Sequence, residues 1–237
     1  MTRRRWMQTL TGIVIGGVGG RYVSQSGLVP PDATGFFAPE HTLTYAAHRQ
    51  FFGLSTAREF RRDQISTKPF ANGRPPQSED YLSHQTAGFR DWRLEVGGQV
   101  AKPLSLSISD LRAMPAKSQI TQLVCEEGWS YIAEWTGVLL SDVLTLAGAK
   151  AVRFVIPECI QPAWKQSIDM VDAWHPQTLV AYAMNGQDVP PGHGGPLRLR
   201  VPRQLGYKSL KYLNRLTVTD SLEGKLRKSP YAWYAGI

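Results

Sequence analysis

The chain has only two cysteines among 237 residues, Cys125 and Cys159. That scarcity excludes a disulfide-dense secreted scaffold and allows one bridge at most. No Cys-x-x-Cys and no His-x-x-His occurs, and the five histidines, His41, His48, His84, His175 and His193, are scattered. A zinc site built wholly from protein side chains therefore has no framework. Zinc-finger spacing and aromatic ribonucleoprotein motifs are missing too, so nothing beyond charge points to nucleic acid. The early apolar stretch, Leu10 to Val18, is too short and too glycine-rich for a membrane span. No internal repeat is visible. Acidic residues are absent from His193 to Asn214.

What is present suits one packed soluble domain behind an export signal: 42% hydrophobic residues and 10% aromatics. With 22 glycines and 16 prolines, turns and short strands are favoured over a helical bundle. The net charge of +8 fits ordinary solubility as well as an anionic ligand, and by itself does not choose.

Thr2-Arg3-Arg4-Arg5-Trp6-Met7-Gln8 ahead of a short apolar stretch reads as an address. It resembles the twin-arginine export signal, with Arg3 and Arg4 as the pair, Trp6 and Met7 as the bulky positions, and Gln8 in place of the usual lysine. That implies recognition by the twin-arginine export machinery, a periplasmic destination and a cofactor inserted before export. No Ala-x-Ala follows the apolar stretch, and Ser24-Gln25-Ser26 places cleavage after Ser26. The expected layout is a signal over 1–26, an extended lead-in over 27–68, a catalytic domain over 69–224 and an aromatic tail over 225–237. The lead-in holds Pro30-Pro31, an expected helical piece around His48 to Phe52 and a charged run, Arg58 to Asp63.

Within the domain, Trp92 to Val96 alternates as a half-buried strand that Gly97-Gly98 breaks. Leu104 and Leu106 continue in extended form. Ser109 is expected to cap a short helix with Leu111 and Met114 on its apolar side. Ile120 to Val124 is a strand running into Cys125. After Trp135-Thr136-Gly137, a helix over Ser141 to Ala147 carries Leu140, Val143, Leu144 and Ala147 on one face. Val152 to Ile156 is a strand ended by Pro157, and Leu179 to Met184 runs into the turn Asn185-Gly186. Pro196 to Val201 and Leu216 to Val218 complete the strands. Short helices sit among the strands without regular alternation, so the expected class is α+β, β-rich, and not doubly wound.

Two features carry chemistry. Arg198, Arg200, Arg203, Lys208 and Lys211 lie in the segment without acids, and strand alternation sends Arg198 and Arg200 to one face. Arginine forks and a mobile lysine suit a phosphate, with amides after Gly206 as further donors; a solvated basic face is the other reading. Cys125, in Leu123-Val124-Cys125-Glu126-Glu127-Gly128-Trp129-Ser130, reads as a thiol delivered by a strand to a turn. It is either a ligand to a soft metal, whose other donors come with a cofactor, or half of a Cys125–Cys159 disulfide in a non-catalytic secreted module.

From about Pro69 to Gly224 the chain resembles the molybdopterin-binding domain of the sulfite oxidase superfamily, nearest its periplasmic methionine-sulfoxide reductase catalytic-subunit branch. The resemblance rests on Cys125 to Ser130, Trp135 to Leu140, Leu179 to Gly186, His193 to Pro202, Gly206-Tyr207-Lys208 and Lys211 in that order. It implies a Mo-molybdopterin cofactor with Cys125 on molybdenum and a dithiolene supplying two further sulfurs. It implies that Asn72 and Gly73 lie on a cofactor-contacting loop. His193 and Arg198 would meet the pterin or its phosphate, and Lys208, Ser209 and Lys211 the phosphate turn. The implied activity is two-electron oxygen-atom transfer, with a membrane haem protein or a soluble cytochrome as separate redox partner. Trp129-Ser130-Tyr131 stands where sulfite oxidases carry an arginine-rich stretch, which favours a sulfoxide over the alternative, a sulfite-type dehydrogenase. The chain also ends soon after the domain, so no fused haem domain or dimerisation domain is expected.

Overall fold

The computed structural model describes residues 55–150, 152–160 and 165–222, with four isolated helical positions upstream, Leu43, Ala47, Gln50 and Phe51. The expected signal over 1–26, the lead-in before Ser55 apart from those positions, and the tail over 225–237 lie outside the described residues. Ser55–Gly236 forms one compact unit, and Met1–Leu54 falls to another.

The described residues hold, in chain order, α1 (Glu79–Thr86), β1 (Arg93–Gly98), β2 (Leu104–Ser107), α2 (Ile108–Ala113), β3 (Ala116–Val124) and β4 (Ser130–Leu139). Then come α3 (Leu140–Ala147), β5 (Phe154–Cys159), β6 (Ile168–Asp169), α4 (Met170–Ala173), β7 (Leu179–Met184), β8 (Gln187–Asp188), β9 (Arg198–Arg200) and β10 (Leu213–Thr219). One sheet runs β2-β1-β10-β5-β6, parallel only between β1 and β10. The other runs β3-β4-β7-β8, with β9 also paired to β7. This is the α+β, β-rich class that the interspersed short helices foretold.

The main core joins both sheets. Leu94, Val96, Val155, Leu216 and Val218 of the first pack in one cluster with Val138, Val180, Tyr182 and Leu199 of the second and with Leu197 just before β9. Helix α3 adds Leu140, Val143, Leu144 and Ala147, the expected apolar face. The opposite face of the second sheet is buried as well, by Leu123, Tyr131, Ala133, Trp135, Leu179 and Ala181. Because side chains alternate along a strand, β7 serves one cluster with Val180 and Tyr182 and the other with Leu179 and Ala181.

Three local expectations are corrected. Gly97-Gly98 does not break β1; both residues pair with β10, opposite Thr217 and Val218, because the parallel neighbour supplies the ladder. Ser107, not Ser109, caps α2. Its Oγ accepts from Asp110 N–H while the Asp110 carboxylate accepts from Ser107 N–H at 2.8 Å, a reciprocal box that Ser109 cannot make. Pro157 does not end β5, which continues to Cys159. The Pro157 carbonyl accepts from Gln166 N–H at 3.0 Å, so its backbone polar groups face away from β10. Its missing N–H then costs the β5–β10 ladder nothing.

Gly137 explains its place in the Trp135-Thr136-Gly137 stretch. The β4–β7 register shifts between Thr136 and Gly137, and a Cβ there would lie 2.6 Å from Ala181 Cα and closer still to the Val180 carbonyl. Gly137→Ala is therefore expected to cost more than about 3 kcal/mol, by prying apart strands that cannot move independently. Urea unfolding of the two proteins checks this, and equal midpoints would refute it.

Residues 55–66 dock onto the second sheet. Phe60 N–H donates to Ile120 O at 2.9 Å, and Ser66 N–H to Ile132 O at 2.9 Å. Arg62 pairs with Glu134 at 2.6 Å. Nearer the start of this segment, Ser55 O accepts from His175 Nε2 and Arg203 Nη1, both at 3.1 Å, while His175 Nδ1 accepts from Gln177 N–H at 3.2 Å. That pattern requires a neutral ring. Burial, and then the Arg203 charge, push His175 below its usual 6.5; Lys117 acts in the same direction, and Asp172 and the Ser55 carbonyl oppose. The contribution of His175 to stability is thus complete above pH 6.5 and is lost as pH falls through the lower folded value. Between pH 7.5 and 5 the wild type is expected to lose more unfolding free energy than His175→Gln, measured by urea titration at each pH.

Candidate functional site

β3 and β4 form one long hairpin, and Cys125 opens its tip. Cys125 N–H donates to Trp129 O at 2.9 Å, and Gly128 N–H to Cys125 O at 3.1 Å. The loop Glu126-Glu127-Gly128 closes with Gly128 at φ 89°, a common hairpin form with a left-handed glycine last. Cys125 is 8% exposed. Burial first, then the Glu126 and Glu127 charges, push its thiol up to about 11, against an opposing hydrogen bond from the Glu127 backbone. The thiol is consequently protonated at neutral pH unless a cation displaces its proton. Neither cysteine is in a disulfide, which corrects the bridged alternative: Cys125 directly follows β3 of one sheet, and Cys159 ends β5 of the other, opposite Leu213.

Neighbouring segments fasten this tip. Glu127 Oε2 accepts from Asn72 Nδ2 at 2.8 Å and from Trp129 Nε1 at 3.1 Å. Glu126 Oε2 accepts from Tyr207 N–H at 3.3 Å. Lys211 Nζ donates to Asn72 O and Gly192 O, both at 2.6 Å. Gly194 permits that reach. It sits at φ 105°, and any Cβ would stand 2.7 Å from the Lys211 side chain. Tyr81, anchored on α1 behind the cap of Ser78, holds the next carbonyl, Gly195 O, at 2.8 Å.

Behind the thiol lie buried cations. Arg198 is 3% exposed; its Nη1 donates to His193 O at 2.7 Å, and its guanidinium sits 5.3 Å from the Trp135 ring centroid. Arg200 is fully buried, with bonds to Ser209 Oγ and Thr121 Oγ1 at 3.2 Å and to Gln122 O at 2.6 Å. Burial, and then repulsion from Arg198, push Arg200 down to about 9. Burial likewise lowers Arg198, while the neighbouring Tyr131, Tyr212 and Cys125 raise it. The Nε atoms of both arginines are buried without a hydrogen-bond partner. No ion pair among the described residues involves either one. The solvated basic face is therefore excluded for these two. Arg203, grouped with them by sequence, belongs elsewhere: it pairs with buried Asp172 at 2.9 Å.

His193 is buried, and burial, Arg198 and Lys211 push it down to about 4, so its ring is neutral at pH 7. Its Nδ1 lies 3.4 Å from Tyr131 OH. Burial and Arg198 also push Lys211 down, to about 8. Ser209 Oγ accepts from Val201 N–H at 3.1 Å as well as from Arg200. These contacts connect Asn72, Cys125, His193, Arg198, Ser209 and Lys211. Lys208 is buried in the adjoining turn with its ammonium on Ser167 O at 2.9 Å. Gly73 is exposed, with open space where a Cβ would stand. Arg200 was read from the sequence as a phosphate-suited cation but not as a cofactor contact, and Tyr131, Trp135 and Glu127 were given no site role. The alternation Arg198-Leu199-Arg200 was the signal for Arg200; Trp135 needed the fold, since only cross-strand packing sets its ring beneath two arginines.

Among the described residues no group of three or more His, Cys, Asp or Glu side chains could hold a metal. A metal at Cys125 must then draw its other donors from a cofactor. Two buried guanidiniums without carboxylates suit a cofactor that is itself anionic. A soft thiol beside them suits one carrying a thiophilic metal.

The oxidoreductase molybdopterin binding domain family matches residues 82–225. YedZ1 of Azospira oryzae, whose name places it with protein-methionine-sulfoxide reductase subunits, is 35% identical over 176 residues, covering 73% of this chain and 66% of YedZ1. MsrP of Xanthomonas axonopodis pv. citri, a protein-methionine-sulfoxide reductase catalytic subunit, is 29% identical over 257 residues, covering 99% of this chain and 76% of MsrP. Among solved structures, the sulfane dehydrogenase SoxCD from Paracoccus pantotrophus superposes with a TM-score of 0.53 at 26% identity, over 56% of this chain and 39% of that one. This chain thus spans just under two thirds of YedZ1 and well under half of the SoxCD chain. A family match over more than half of its length and a relative 35% identical over 73% of it show that the chain belongs to the family of oxidoreductase molybdopterin binding domains.

Proposed function

We propose that this chain is a periplasmic molybdenum-molybdopterin oxidoreductase that removes an oxygen atom from a sulfoxide-type substrate. One observation carries the reading: a buried, unbridged thiol at a hairpin tip, coupled to arginines that are buried without a carboxylate. Cys125 would ligate the metal, losing its proton as it does so. Arg198, with Arg200 behind it, would compensate the cofactor's negative charge, and the Ser209 to Lys211 turn with Lys208 its phosphate. His193 would offer a neutral ring, which avoids adding a further charge beside Arg198. Asn72 acts through Glu127, which holds the Cys125 tip in place. Gly73 would leave room for the cofactor to approach the backbone.

Bound molybdenum supplies the two-electron oxygen-atom chemistry. A sulfoxide accepts two electrons and two protons and leaves as a sulfide and water. The electrons would come from a separate redox partner, a membrane haem protein or a soluble cytochrome; the relatives named as subunits of a reductase support an assembly of this kind. The Arg3-Arg4 start supports export through the twin-arginine machinery. Purification from a host that makes the cofactor, molybdenum quantification and steady-state assays with methionine sulfoxide and sulfite test the reading. Molybdenum stoichiometric with the chain and turnover of the sulfoxide are expected. Turnover of sulfite alone overturns the substrate, and protein active without molybdenum overturns the whole.

A further inference from the structure

Next to the Cys125 tip stands an aromatic array of which the roles above use only His193. Phe70, in the loop just before Asn72, is 52% exposed although its ring is only 5.2 Å from that of Trp129. Trp129 in turn stacks on Tyr131, with ring centroids 6.0 Å apart and planes 3° from parallel. Tyr131 meets His193 edge-on at 5.6 Å. Four rings therefore run from solvent to the buried cations. The indole of Trp129 is held by Glu127, the same carboxylate that takes the Asn72 amide, so the array is tied to the hairpin that carries the thiol. Lys211 on Asn72 O steadies the loop from its other side. Val124, directly before Cys125, adds an apolar side chain that is 42% exposed.

We infer that Phe70 and Trp129 form the rim that receives the substrate, and that they select a neutral methyl sulfoxide on a flexible polypeptide over an oxyanion. The proposal rests on the sulfoxide reading and deepens it. A methionine-sulfoxide side chain brings methylenes and a methyl group that gain from contact with aromatic faces, and its neighbouring residues extend that apolar contact. Sulfite brings no carbon. It would meet the exposed Phe70 ring, the half-buried Trp129 ring and the Glu126 and Glu127 carboxylates, none of which offers it a positive charge. Fixed rings also lose little conformational freedom when a flexible segment settles on them.

The test compares wild type and Phe70→Ala as molybdenum-loaded protein, on a methionine-sulfoxide peptide and on dimethyl sulfoxide. Phe70 is half exposed and makes no hydrogen bond through its ring, so molybdenum content and melting temperature serve as the check that the variant is intact. The expected result is a fall of roughly tenfold in kcat/KM for the peptide, carried by KM, with dimethyl sulfoxide changed by less than about threefold. Phe70→Leu is expected to restore most of the loss, because it returns apolar area. An unchanged peptide-to-dimethyl-sulfoxide ratio, in a wild type that reduces both, overturns the rim and leaves the sulfoxide reading standing. Absence of sulfoxide turnover in the wild type overturns both.

Discussion

Cys125→Ser is expected to abolish turnover while leaving the domain folded. Serine is nearly the same size, so the hairpin keeps its Cys125 N–H to Trp129 O and Gly128 N–H to Cys125 O bonds, which use only backbone. The stability change should be about 1 kcal/mol or less. The chemistry changes far more. A hydroxyl oxygen is a hard donor and gives up its proton much less readily than a thiol, so a thiophilic metal loses its protein ligand. Arg198, Arg200 and Lys211 remain, so the cofactor should still be recovered with the variant. Its optical and paramagnetic spectra should lack the sulfur-to-metal features of the wild type. Identical spectra from wild type and variant would mean that the thiol is not on the metal.

Arg198→Met is expected to move cofactor occupancy and apo stability in opposite directions. Without an anion, Arg198 is a buried charge with no carboxylate, beside a second one in Arg200. An uncompensated buried cation is a cost to the fold, and methionine fills a similar volume over the Trp135 ring. Against this, His193 O loses its donor, which costs about 1–3 kcal/mol. Relief of desolvation exceeds that, so the apo variant should unfold at a slightly higher urea concentration than the apo wild type. Molybdenum content should nevertheless fall at least tenfold, the usual lower bound when a group supporting a metal site is lost. A variant equally loaded with molybdenum, or an apo variant that unfolds earlier, would contradict the account. The arrangement is what a binding site tolerates and a purely structural core does not, because the compensating charge arrives with the ligand.

Much of the site was legible because its residues cluster in sequence. Leu123 to Trp129 announces a strand, a thiol and a glycine-closed turn within seven positions, and all of it folds locally as a hairpin. The Asn185-Gly186 turn was equally readable, since two left-handed residues, at φ 52° and 78°, are what a tight hairpin demands. Other features were not. Arg203 looks like Arg198 and Arg200 on paper, yet Asp172 claims it from a distant helix. Pro157 looks like a strand end, but which edge its missing N–H faces depends on where β10 and the Gln166 segment lie.

Taken alone, the amino-acid order determined the strand periods, the hairpin at Cys125, the acid-free cationic stretch and the family resemblance, because each is written in neighbouring residues whose alternation and turn preferences act over a few bonds. Only the tertiary structure decided which cations are buried without counter-charge, which carboxylate fastens the hairpin tip, and that four rings line up from solvent to His193. Those outcomes depend on side chains far apart in the chain sharing one volume, and burial and Coulomb energy are set by that shared volume rather than by sequence distance.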